Sequence, residues 1–211
     1  MSNDHLFLVG YGHPDIDAVL DDVQETLISD PGSESIEDFT TSLENAQRVW
    51  YVYFREGSEV IQPFLKVLYV DFGVYRTATV KSDRRTYHLR EFRRVPDDLR
   101  DLARFGAAIS LRGWHLPDGV SVRACQDVPF ESWWRALDAP GVDLGIGLVL
   151  ADANGQGVVK VDVEPSGART IDWDASTYHL DGRTLTVPCD LPPGDYPLLI
   201  GLHDLLTAEP L

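Results

Sequence analysis

Apolar residues in the second half of the chain fall into short runs, each closed by Gly, Pro, Asn or Asp. Phe130-Glu-Ser-Trp-Trp-Arg-Ala136, Leu144-Gly-Ile-Gly-Leu-Val-Leu-Ala151, Val158-Val-Lys-Val-Asp-Val163, Thr184-Leu-Thr-Val187 and Tyr196-Pro-Leu-Leu-Ile-Gly-Leu-His203 follow in that order. Side chains of a strand point to alternate faces and only one face needs burying, so runs of this length and spacing predict an antiparallel β-sandwich, jelly-roll-like. Asp152-Ala-Asn-Gly155 reads as a hairpin turn in which Asn and Gly take positive φ. Gly106 to Leu116 opens this half.

The first half has a different pattern. Residues 5–11 form a buried-strand candidate, and Ile16, Val19, Leu20, Val23 and Leu27 recur at helical spacing. A second helix starts at Glu34 or Ser35 and runs through Ala46, and a third spans Glu59 to Phe72. Arg48 to Phe54, Gly73 to Val80 and Thr86 to Phe92 are strands by their β-branched and aromatic content. Strand, helices, strand, helix, strand predicts a small α/β layer with a partly parallel sheet. A polar connector from Val95 to Arg104 places the boundary near residue 105. The expected fold is α+β overall: a small α/β domain over 1–104, then a carbohydrate-binding-module-like sandwich over 105–211.

Composition narrows the partners. The 211 residues are 44% hydrophobic and 25% charged, ordinary for a chain with a core. Thirty-four acids against eighteen bases leave −16, which argues against nucleic acid or anionic lipid. The charge is uneven, with eleven acids and no Lys or Arg over 1–47 but twelve bases and eight acids over 48–105. Cys125 and Cys189 are too few for a disulfide framework. The plain reading is two half-buried thiols, with one bridge open as the alternative. No run nears the ~18 apolar residues of a membrane span, and a cationic, apolar leader is missing from residues 1–30. The expectation is a soluble chain without direct membrane insertion.

Motifs for chemistry are sparse. His13-Pro14-Asp15 matches a co-chaperone tripeptide but lacks the basic helix that should precede it. Asp15-Ile-Asp17 has the spacing by which two carboxylates share a divalent cation, and a metal-dependent sugar-transfer enzyme built on Asp15 and Asp17 is the alternative in the enzyme class. The same pair is also what the first turn of a helix favours. The six histidines do not fall at zinc-ligand spacing, and no nucleotide or nucleophile motif is present, so no cofactor and no catalytic residue is assigned. Aromatics are the remaining lead. Trp114, Trp133, Trp173 and Tyr178 are the candidate ligand-binding residues, because exposed rings on a sandwich stack on sugars. Alternation sends Trp134 to the core with Phe130 and turns Trp133 outward.

The ordered series Trp134-Arg-Ala136, Asp152-Ala-Asn-Gly-Gln156, Asp162, Pro165-Ser-Gly167, Thr170-Ile-Asp-Trp173, Leu191-Pro-Pro-Gly-Asp-Tyr196 and Gly201-Leu-His-Asp204 resembles a recurrent β-sandwich. It is that of the C-terminal soluble region of multi-spanning glycosyltransferases of the protein-mannosyltransferase and aminoarabinose-transferase type. Gly106, Leu111, Gly113 and Trp114 continue the likeness, as do Val49-Trp-Tyr-Val52 and Tyr87-His-Leu-Arg-Glu-Phe92. The catalytic acids of such enzymes lie between early membrane helices, so the resemblance carries no catalytic residue to this chain. It implies a non-catalytic accessory domain on the extracytoplasmic face, its partners a glycan, an acceptor or a membrane glycosyltransferase parent. A purely structural or dimerisation domain is the third reading. Without such a parent the expected location is the cytoplasm.

Overall fold

A computed structural model describes residues 4–9, 27–29, 35–53, 62–81, 86–116 and 121–211, the first two stretches by backbone alone. Two compact units divide the chain, Met1–Asp97 and Asp98–Leu211.

Among the described residues of the first unit, a mixed sheet carries two helices. The elements are β1 (Asp4–Val9), β2 (Leu27–Ser29), α1 (Ile36–Leu43), β3 (Arg48–Tyr53), α2 (Gln62–Asp71), β4 (Phe72–Lys81) and β5 (Thr86–Arg94). The strand order is β2-β1-β3-β5-β4, with β1 parallel to β2 and β3 and the other pairs antiparallel. Leu27, read as the last apolar position of a helix, instead opens β2, and residues 10–26, with Asp15 and Asp17, lie outside the described residues. Ser35 caps α1 by accepting the Asp38 amide at 3.1 Å, which satisfies one of the orphan N–H groups of the first turn. The helix then ends at Leu43 rather than Ala46. Phe39, Leu43, Phe64 and Leu68 bury against Val49, Tyr51, Phe72 and Phe92 of the sheet. The helical spacing exists to fill that face.

Among the described residues, the regular structure of the second unit is antiparallel strand apart from one 3-10 turn at Thr170–Asp172. Its strands are β6 (Ala103–Phe105), β7 (Ile109–His115), β8 (Asp127–Ala136), β9 (Leu144–Ala151), β10 (Gly157–Val163), β11 (Tyr178–Thr186) and β12 (Leu198–Asp204). They form two groups, β11-β8-β7-β6 and β10-β9-β12. Ile109, Leu111 and Trp134 of the first group share one cluster with Leu144, Ile146 and Leu202 of the second, and Val128, Phe130 and Leu185 share another with Leu148. The architecture is therefore β-rich, with inner side chains of two sheets packed together. β11 starts six residues earlier than its apolar run, and β12 starts at Leu198 rather than Tyr196.

Among the described residues no helix is long and apolar enough to cross a membrane.

Candidate ligand cleft

A cleft of about 1190 Å³ opens within residues 98–211, above the ~300–1,000 Å³ usual for small-molecule pockets. Trp114 stands in its wall because of a single irregularity in β7. Leu111 faces Trp134 across the β7–β8 ladder and Gly113 faces Trp133, so two steps on β7 match one on β8 and Arg112 is the extra residue. Such a bulge re-aims every side chain beyond it. Strict alternation from Ile109 and Leu111 would send Trp114 to the opposite face. Past the bulge it instead lies opposite Ser132, on the inner row that also holds Phe130 and Trp134. Its ring stacks on Phe130 at 6.4 Å and 18°, and it stays 52% exposed. The bulge is braced from outside the ladder. The Leu102 amide donates to the Leu111 carbonyl at 2.9 Å, the Arg100 amide to that of Arg112 at 2.9 Å, and Arg112 pairs with Asp101.

Two further walls are irregular segments joined by a disulfide. Residues 121–124 form one and residues 191–197 the other. Cys125 and Cys189 are bonded with Cα atoms 4.3 Å apart, which corrects the reading of two thiols. The cause lies in strand register. Asp127 and Thr186 are the last paired residues of β8 and β11, so the two cysteines leave neighbouring strands side by side. Pro192 and Pro193 have no N–H to give a ladder, so the chain stays out of the sheet there. The Tyr196 hydroxyl donates to the Pro192 carbonyl at 2.8 Å and closes the loop on itself. In the sequence Leu191–Tyr196 entered only as part of the resemblance, and that this segment walls a cleft has no signal in the local pattern.

The other aromatic candidates sit elsewhere. Trp133 shares the row turned away from Trp134, as alternation implies, yet it is 7% exposed and offers no open face. Trp173 is 2% exposed, stacked on His179 at 3.9 Å with its indole N–H donated to the Ala168 carbonyl at 3.0 Å. Both are corrected from solvent-facing rings to packing residues. Tyr178 is half-buried, with the Arg135 guanidinium 5.2 Å from its ring centre. The four candidates therefore do not converge, and Trp114 alone reaches the cleft.

The walls of the cleft are mostly aliphatic, aromatic or proline. Arg123 is its one cation and Asp195 its one anion among the described residues, both exposed. Also among the described residues, no three His, Cys, Asp or Glu side chains gather where a metal could be held.

No protein family matches the chain, and no curated protein matches it. Among solved structures, the C-terminal domain of Wzt is similar at a TM-score of 0.40 and 15% identity, over 55% of this chain and 72% of that one.

Proposed function

We propose that residues 98–211 are a non-catalytic, glycan-binding β-sandwich whose ligand stacks on Trp114 at the cleft. The observation that carries this reading is the β7 bulge, which holds a large aromatic ring half in solvent over an open cleft. A ring so placed gains apolar and CH–π contact from the flat face of a sugar. The resemblance to the soluble C-terminal region of membrane glycosyltransferases supports the same assignment, in which the chain serves such an enzyme as an accessory domain. The Cys125–Cys189 bond agrees with an oxidising, extracytoplasmic setting, since structural disulfides persist there and not in a reducing cytosol.

Glycan-array binding together with a tryptophan-fluorescence titration tests the reading. A saturable signal is expected for the intact chain and at least a tenfold loss for Trp114→Ala, with the melting temperature unchanged. A chain that gives no signal with any glycan, or binds equally well without the Trp114 ring, rules it out.

A further inference from the structure

We propose that the cleft takes a linear aliphatic chain, so that the ligand is an amphiphile with its polar head at Trp114 and its chain between the sheets. The inference deepens the glycan-binding reading and rests on it for the head alone. Wall chemistry leads to it. Among the described residues, the polar and charged side chains Ser121, Arg123 and Asp195 of the lining are all exposed and therefore belong to its rim. The Tyr196 hydroxyl already donates to Pro192. Deeper, the walls are buried apolar residues such as Leu111, Val128, Phe130, Leu185 and Val187. A sugar hydroxyl pushed among them loses water and finds no partner, which costs on the order of tenfold in affinity per group. A methylene there gains instead.

Exposure points the same way. Leu102, Trp114 and Val122 are large apolar residues at 51%, 52% and 38% exposure, and all three line this one cleft. Grouped apolar exposure of that kind marks a binding surface, whereas scattered single residues do not. The cleft is also preformed. The bulge, the disulfide and the Tyr196–Pro192 bond fix three of its walls without a ligand, and little ordering is left to oppose binding.

The test titrates the full chain with octyl maltoside and decyl maltoside below their micellar concentrations, maltose alone, and decanoate. Binding is followed by tryptophan fluorescence and calorimetry. Affinity is expected to rise roughly fourfold per methylene, the equivalent of about 0.8 kcal/mol, so decyl maltoside binds more than tenfold tighter than octyl maltoside. Equal affinity for maltose and both alkyl maltosides overturns the chain inference and leaves glycan binding standing. Decanoate matching decyl maltoside, with no maltose signal, upholds the chain and removes the sugar. No response to any alkyl ligand overturns the inference. Ala124→Trp, at an exposed position in the wall, should weaken decyl maltoside at least tenfold with the ligand-free melting temperature unchanged. Val122→Glu, also exposed, should do the same by charging the wall. Normal binding by both variants places the chain elsewhere and overturns the proposal.

Discussion

Asp152 closes the turn between β9 and β10 with its side chain. Its Oδ1 accepts the Gln156 amide at 2.8 Å and the Asn154 amide at 2.9 Å. Those amides, that of Gln156 first, hold the carboxyl below the ordinary aspartate range. A depressed value in the fold stabilises above the unfolded value of about 3.9 and is lost as pH falls below it. The expected outcome is a carboxyl titration, read by nuclear magnetic resonance, centred below that value, with faster Asn154 and Gln156 amide exchange as it protonates. Asp152→Asn should remove the pH dependence while leaving the turn formed. A midpoint at or above the ordinary value contradicts the assignment. The turn was legible in Asp152-Ala-Asn-Gly155, but Gly155 alone takes the positive φ, at 77°. The tryptophans show the limit at this scale. Period two separated Trp133 from Trp134 correctly, yet burial depends on what lies opposite each row, and the pattern within one strand holds no record of that.

A strand can hide polar residues when they satisfy one another, and β11 does so. Asp181 and Arg183 lie on its inner row with side chains 2% exposed, Nε to Oδ2 2.5 Å apart. Arg183 also donates to the carbonyls of Ile146 at 2.8 Å and Val163 at 3.0 Å, while Asp181 accepts the Ser166 amide at 2.9 Å. The pair thus fixes the Pro165-Ser166-Gly167 connection and ties β11 to β9 and β10 of the other sheet. Removing one partner strands a buried charge, so Asp181→Asn is expected to cost about 3–5 kcal/mol in urea unfolding. Replacing both together, Asp181→Leu with Arg183→Met, should cost less than the single change. Equal or larger loss in the double variant would show that the hydrogen bonds to the backbone, not the stranded charge, set the stability. This pair also explains why the strand was underread. Its apolar run covers only Thr184 to Val187, and Asp181-Gly-Arg183 mimics a turn. The β7 bulge misleads in the opposite direction, since an extra Arg112 is invisible until β8 supplies the register.

At the scale of the whole molecule, each of the three hydrophobic clusters among the described residues lies in one unit. The cluster around Phe39 and Phe92 lies within residues 1–97, and those around Trp134 and Phe130 within 98–211. In the sequence, helical spacing gives way to short alternating runs, which set the expected boundary near residue 105, while the compact units divide at Asp97 and Asp98. The uneven charge was visible too, and it bears on partners rather than on fold. What sequence left open was the redox state of Cys125 and Cys189, because pairing depends on β8 lying beside β11. The bond spans a sequence separation of 64 residues entirely inside the second unit. Loop closure of that length restricts the unfolded chain by about 4 kcal/mol at room temperature on the chain-entropy account, and 2–4 kcal/mol is typical in practice. Clusters that each lie in one unit, and a bond confined to the second, imply two calorimetric transitions with unequal sensitivity to reduction. Dithiothreitol, or Cys125→Ser with Cys189→Ser, should lower the transition of residues 98–211 by on the order of 10 °C and leave that of residues 1–97 in place. Reduction should also weaken ligand binding at the cleft, because segments 121–124 and 191–197 lose the bond that ties them. A single transition that moves as one on reduction would mean that the two cores unfold together, and the bond would then stabilise the whole chain rather than the cleft-bearing unit.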